Sequence, residues 1–103
     1  MSTTVAEIYQ RILSMAASIG PFREEPKKTS IHLVRKSAFA GVATRRTALI
    51  LTLKSATDIV SPRVRKRDRA SANRWYIEVE LASPREVDRE LRTWLKAAYE
   101  IAV

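Results

Sequence analysis

The 103-residue chain contains no cysteine, one histidine and only two glycines. Without cysteine it has no disulfide framework, no thiolate zinc site and no thiol nucleophile. His32 alone leaves little from which to build a histidine metal cage, and no serine has an evident partner base. Gly20 and Gly41 stand apart, so neither common glycine-rich phosphate loop is present. Long apolar runs are missing too. The longest, residues 48–53, is six residues broken by Thr52, whereas a membrane span needs about 20. Residues 1–7 have neither the basic nor the apolar segment of a secretory signal, so the cytoplasm is the expected compartment. No metal, cofactor or membrane association is expected.

What is present is charge on a foldable background. Nineteen Lys and Arg oppose eleven Asp and Glu, for a net charge of +8. At 46% hydrophobic and 29% charged, the chain is too apolar for a disordered basic tail and too charged for a membrane core. Its length suits one domain over residues 1–103 with a single modest core.

Hydrophobic spacing outlines the elements. Thr4 and Glu7 fit a capping box. Val5, Ile8, Tyr9, Ile12, Ala16 and Ile19 then fall on one helical face until Gly20-Pro21 stops the run. Residues 21–28, with two prolines and mixed charge, read as a connecting loop. Three short β-rich runs follow, around Ile31 and Leu33, from Phe39 to Thr44, and from Ala48 to Leu53. Their short connectors favour antiparallel neighbours. Residues 54–73 are non-periodic and read as a long basic loop, with Ile59-Val60-Ser61-Pro62 as a turn or short edge and no apolar stripe over 63–73. Trp75, Ile77, Val79 and Leu81 alternate with Tyr76, Glu78 and Glu80 as a half-buried strand. Ser83-Pro84-Arg85-Glu86 is a helix start. Val87, Leu91, Trp94, Leu95, Ala98, Ile101 and Ala102 form the stripe of that helix. The expected fold is α+β, α-β-β-β-β-α, with a four-stranded antiparallel sheet and both terminal helices on one face. The other face would be wet, a groove or a dimer surface.

The run Glu25-Pro26-Lys27-Lys28-Thr29-Ser30-Ile31-His32-Leu33 continues through Arg35-Lys36 to Phe39-Ala40-Gly41-Val42. It resembles the central part of the bacterial family called domain of unknown function 5655. Ser83-Pro84-Arg85-Glu86-Val87-Asp88, ending in Ala97-Ala98-Tyr99-Glu100, is similar to that family's closing helix. Ile59-Val60-Ser61-Pro62-Arg63 sits where members carry isoleucine, an acidic residue, proline and arginine. The resemblance implies no catalytic residues. Members joined to nuclease-like domains imply a nucleic-acid context. The segment from Arg63 to Arg74 is more basic than the family pattern.

The charge is segregated. Between Pro26 and Arg74 thirteen basic residues face two acids, a net +11, while the rest of the chain holds six basic and nine acidic residues, a net −3. Such a field attracts phosphate backbones. The candidate polyanion-binding residues are Lys27, Lys28, Arg45, Arg46, Arg63, Arg65, Lys66, Arg67 and Arg69. They would neutralise charge without reading bases. A solubilising surface explains the same residues without a ligand. His32, Tyr76 and Glu78 are candidates for a pocket beside the sheet. Glu78 and Glu80, two apart on one strand face, sit about 7 Å apart, a spacing at which acid/base pairs occur. Cross-strand ion pairing with Arg or Lys is their ordinary fate. Three functions follow as expectations: a non-enzymatic module binding nucleic acid or another polyanion, a homodimeric scaffold, and a small-molecule binder or enzyme.

Overall fold

A computed structural model describes residues 2–103. The first helix, α1 (Thr3–Ile19), is opened by Ser2, whose hydroxyl accepts from the Val5 N–H at 3.1 Å. The cap therefore precedes the expected Thr4, because Ser2 keeps extended backbone while Thr3 and Thr4 are already helical. Val5, Ile8, Tyr9, Ile12 and Ala16 are buried, as their spacing predicts. Gly20 closes α1 by donating to the Ala16 carbonyl at 3.1 Å. A Cβ at Gly20 would overlap the Tyr99 ring and hydroxyl, so the glycine permits a close approach of the end of α1 to Tyr99.

The strands are β1 (Arg23–Pro26), β2 (Ile31–Val34), β3 (Ala38–Thr44), β4 (Leu49–Ser55), β5 (Val64–Ser71) and β6 (Arg74–Leu81). They form one antiparallel sheet in the order β1-β2-β3-β4-β6-β5. The α+β class and terminal helices hold, but the sheet has six strands where alternation predicts four.

The two additional strands are the edges. β1 occupies the expected loop 21–28; Pro26 is tolerated because an edge strand leaves one row of N–H groups unpaired. The Tyr9 hydroxyl donates to the Glu24 carboxylate and ties β1 to α1. β5 lies within the expected loop 54–73, whose first two residues complete β4. All its residues except Val64 are exposed, so no apolar period marks it. Its register against β6 also slips twice, leaving Arg65 and Ala70 as extra residues. Charge and bulges on an edge discourage pairing with other chains.

Both helices lie on one face. α2 (Arg89–Ile101) packs on β3 and β4, and α1 packs against α2 and β4. The residues beneath are Leu33, Ala40, Val42, Leu49, Leu51, Leu53, Ile77, Val79 and Leu81, all buried. A bulge pairs Leu33 with Ala40 and Val34 with Ala38, leaving Phe39 extra. It turns Phe39 into the core as well, edge-on to Phe22 and Tyr99 at 6.1 and 5.2 Å between ring centres.

The expected helix start at Ser83 forms only a 3-10 turn, Pro84–Glu86. The Glu86 carboxylate accepts from the Ala82 and Ser83 N–H groups at 2.8 and 2.9 Å. Val87 leaves helical geometry, and Asp88 caps α2 through the Leu91 N–H at 3.1 Å. No helix among the described residues is long and apolar enough to cross a membrane.

Candidate functional site

The sheet face away from the helices carries the site. Side chains alternate between faces, so burying Val42, Leu51, Leu53 and Ile77 beneath the helices turns Gly41, Ala43, Thr52, Lys54 and Tyr76 outward. Register places His32 opposite Gly41, Gly41 opposite Thr52, and Lys54 opposite Tyr76. The small residues on β3 leave a groove of about 260 Å³, whose lining includes Ser30, His32, Ala38, Gly41, Ala43, Thr52, Lys54 and Tyr76. The Ala and Gly floor is apolar, and the polar groups stand on neighbouring strands.

Lys54 is the electrostatic feature of this groove. Its ammonium donates to the Ser37 hydroxyl at 3.0 Å, and no carboxylate among the described residues pairs with it. Burial pulls its pKa below the ordinary lysine value, and the charge of Arg74 pulls it further. Arg74 precedes Tyr76 by two residues on β6, and its Nε is buried without a hydrogen-bond partner. Lys54 lines the groove, Arg74 lies close enough to act on its charge, and neither makes an ion pair among the described residues. An anion would stabilise both, which is how buried charge is ordinarily compensated. Asp68, opposite Tyr76 on β5, lies 3.6 Å from Lys66 instead.

The three candidate pocket residues separate. His32 and Tyr76 line the groove; Glu78 does not. Arg65, the extra residue of a β5 bulge, reaches Glu78 at 3.2 Å and Glu80 at 3.3 Å. The two carboxylates are therefore a cross-strand ion-pair set. No hydroxyl among the described residues is hydrogen-bonded to His32. Nor do three His, Asp or Glu side chains among them gather as metal ligands.

The nine polyanion candidates divide as well. Arg63 reaches Asp88 at 2.9 Å, Glu90 at 3.0 Å and the Glu86 carbonyl at 2.6 Å, and stands over Trp94. Arg67 forks onto Asp58 at 2.8 and 3.0 Å. Arg65 and Lys66 are paired as above, and Arg69 bonds the turn carbonyls of Ser71 and Ala72 beside Trp75. Lys27 lies 2.5 Å from Glu25. Lys28, Arg45 and Arg46 are exposed and make no ion pair among the described residues. The pairing of Ile31 with Val42 places the β1–β2 and β3–β4 turns at the same sheet end, so Lys27, Lys28, Arg45 and Arg46 gather there.

Gly41, Lys54 and Arg74 escape a reading by charge runs and catalytic residue types. The available signal was alternation: in Leu49–Ser55 the polar Thr52 and Lys54 share one side, opposite Leu49, Leu51 and Leu53.

A second hollow of about 480 Å³ is wider and shallower, lined by Pro21, Phe22, Arg23, Val34, Arg35, Lys36 and Tyr99. Arg35 there donates to the Tyr99 carbonyl at 3.0 Å and covers its ring, and Tyr99 donates to the Pro21 carbonyl at 2.7 Å. Those contacts tie the segment after α1 and the turn after β2 to the end of α2.

No curated protein and no solved structure matches the chain. One family model, Domain of unknown function (DUF5655), matches residues 2–102. That match covers the helices, all six strands and the groove, and the chain belongs to the DUF5655 family.

Proposed function

We propose that the protein is a small binding module whose ligand is an anion with an apolar body, seated in the groove on the open sheet face. The observation that carries this reading is Lys54, an unmatched and partly desolvated ammonium beside a floor of Gly41 and Ala43. The ligand's charged head meets Lys54 and Arg74, and its body lies along β3 toward Ser30. His32 and Tyr76 flank it and supply polar edges.

The test is a titration followed by amide NMR with 2-naphthoate and its uncharged carboxamide. The carboxylate is expected to shift the Gly41, Ala43, Lys54 and Tyr76 signals saturably, and the amide to bind more weakly. In Lys54→Met the preference for the carboxylate should vanish. Equal binding of both probes by the unmodified protein, or no binding of either, would falsify the reading.

A second reading keeps a polyanion as partner. It is supported by Lys28, Arg45 and Arg46 standing unpaired at one sheet end next to Lys27. Phosphate backbones would be met there by charge alone. A homodimer through the open face would instead appear as a concentration-dependent sedimentation coefficient, and would cover the groove.

A further inference from the structure

The least expected residue of the groove is Gly41. It sits inside a seven-residue strand, paired on both sides, with His32 opposite on β2 and Thr52 opposite on β4. Glycine at such a place weakens a strand, because it loses more freedom on folding and has no side chain to pack. Two structural reasons that would demand it are absent. Its backbone does not occupy the left-handed region. A Cβ built on it would meet one neighbour, His32 Cδ2, at 3.8 Å, an ordinary van der Waals contact. Gly20 is the contrast within the same chain, since a Cβ there would run into Tyr99. The fold thus requires Gly20 and leaves room for a side chain at Gly41. That room is the floor of the groove.

We propose that Gly41 is a specificity-determining residue, and that it fits the groove to a planar ring bearing an anionic group. The inference rests on the ligand-binding reading above and deepens it. A flat ring can lie on a bare peptide at van der Waals distance, with an edge toward His32 and the anionic group toward Lys54. A methyl or isopropyl group at this position would lift the ring off the floor and away from the ammonium. Ala43, two residues along on the same face, continues the low floor, so the trough runs lengthwise along β3.

The experiment compares the unmodified protein with Gly41→Ala and Gly41→Val, using 2-naphthoate as probe and thermal unfolding without ligand as the second readout. Melting temperatures are expected to hold or rise, because both residues suit a strand better than glycine does. Affinity for 2-naphthoate is expected to fall stepwise, by about tenfold or more in Gly41→Val. Unchanged affinity in Gly41→Val, with binding intact in the unmodified protein, overturns this inference and leaves the ligand-binding reading standing. A melting temperature lowered in both variants also overturns it, since the glycine would then serve the fold. Absence of binding by the unmodified protein overturns both.

Discussion

Asp88 shows how much one side chain can carry. Its carboxylate caps α2 through the Leu91 N–H, and it also receives Arg63 at 2.9 Å. The cap hydrogen bond chiefly, and then Arg63, hold its pKa below the ordinary aspartate value. A depressed carboxylate adds stability that is fully present above the unfolded-state pKa and is lost as pH falls through the lowered folded one. Asp88→Ala is expected to cost about 0.5–2 kcal/mol at neutral pH. Asp88→Asn should retain part of the cap and flatten the acid limb of the stability curve. Chemical denaturation from neutral to acidic pH measures both. Lys54 has the opposite sense. A lysine whose pKa is lowered on folding disfavours the folded state until it loses its proton, so stability should rise with pH between the lowered and ordinary values. Beside it stand Arg74, Tyr76 and the Ser37 hydroxyl, and none of these supplies a balancing negative charge near neutral pH.

Among the elements, β5 and the β3 bulge distinguish packing from pairing. The start of β5 is held to the start of α2 by Arg63, which clasps Asp88, Glu90 and the Glu86 carbonyl. Arg63→Met is expected to lower stability by about 1–2 kcal/mol, since the contacts are charge-assisted but partly solvated. Amide exchange should quicken in β5 first, leaving β4 protected. Phe39 is a core contact; Phe39→Ala should cost about 3–5 kcal/mol, read as a shifted urea midpoint with an unchanged slope. The capped helices and the strands with one buried face were legible in the chain because their burial repeats every 3.6 or two residues. Phe39 broke that pattern, since a bulge put two consecutive residues, Phe39 and Ala40, in the core. β5 was illegible for a different reason. Arg65 to Ser71 are exposed, so only hydrogen bonding to β6 makes them a strand.

At the scale of the whole molecule, the net charge of +8 is not one surface. Arg63, Arg65 and Arg67 pair with carboxylates elsewhere in the chain, while Lys28, Arg45 and Arg46 at one end of the sheet make no ion pair among the described residues. If this end meets nucleic acid, Arg45→Ala with Arg46→Ala should reduce the slope of log affinity against log salt by roughly two, about 0.9 per lost phosphate contact on duplex. Arg65→Ala with Arg67→Ala should change it far less, and their destabilisation should be evident in thermal unfolding. Equal effects from both pairs, in fluorescence anisotropy with a duplex, would return the binding surface to the entire basic segment. Residue order by itself determined the α+β class, the terminal helices and the segregation of charge, because apolar period and composition are local properties. Tertiary structure alone decided the two edge strands, the groove with Gly41 beside Lys54, and which cations remain unpaired. Those depend on register and on partners distant in the chain, such as Arg63 with Glu90 and Arg67 with Asp58, and no local pattern encodes them.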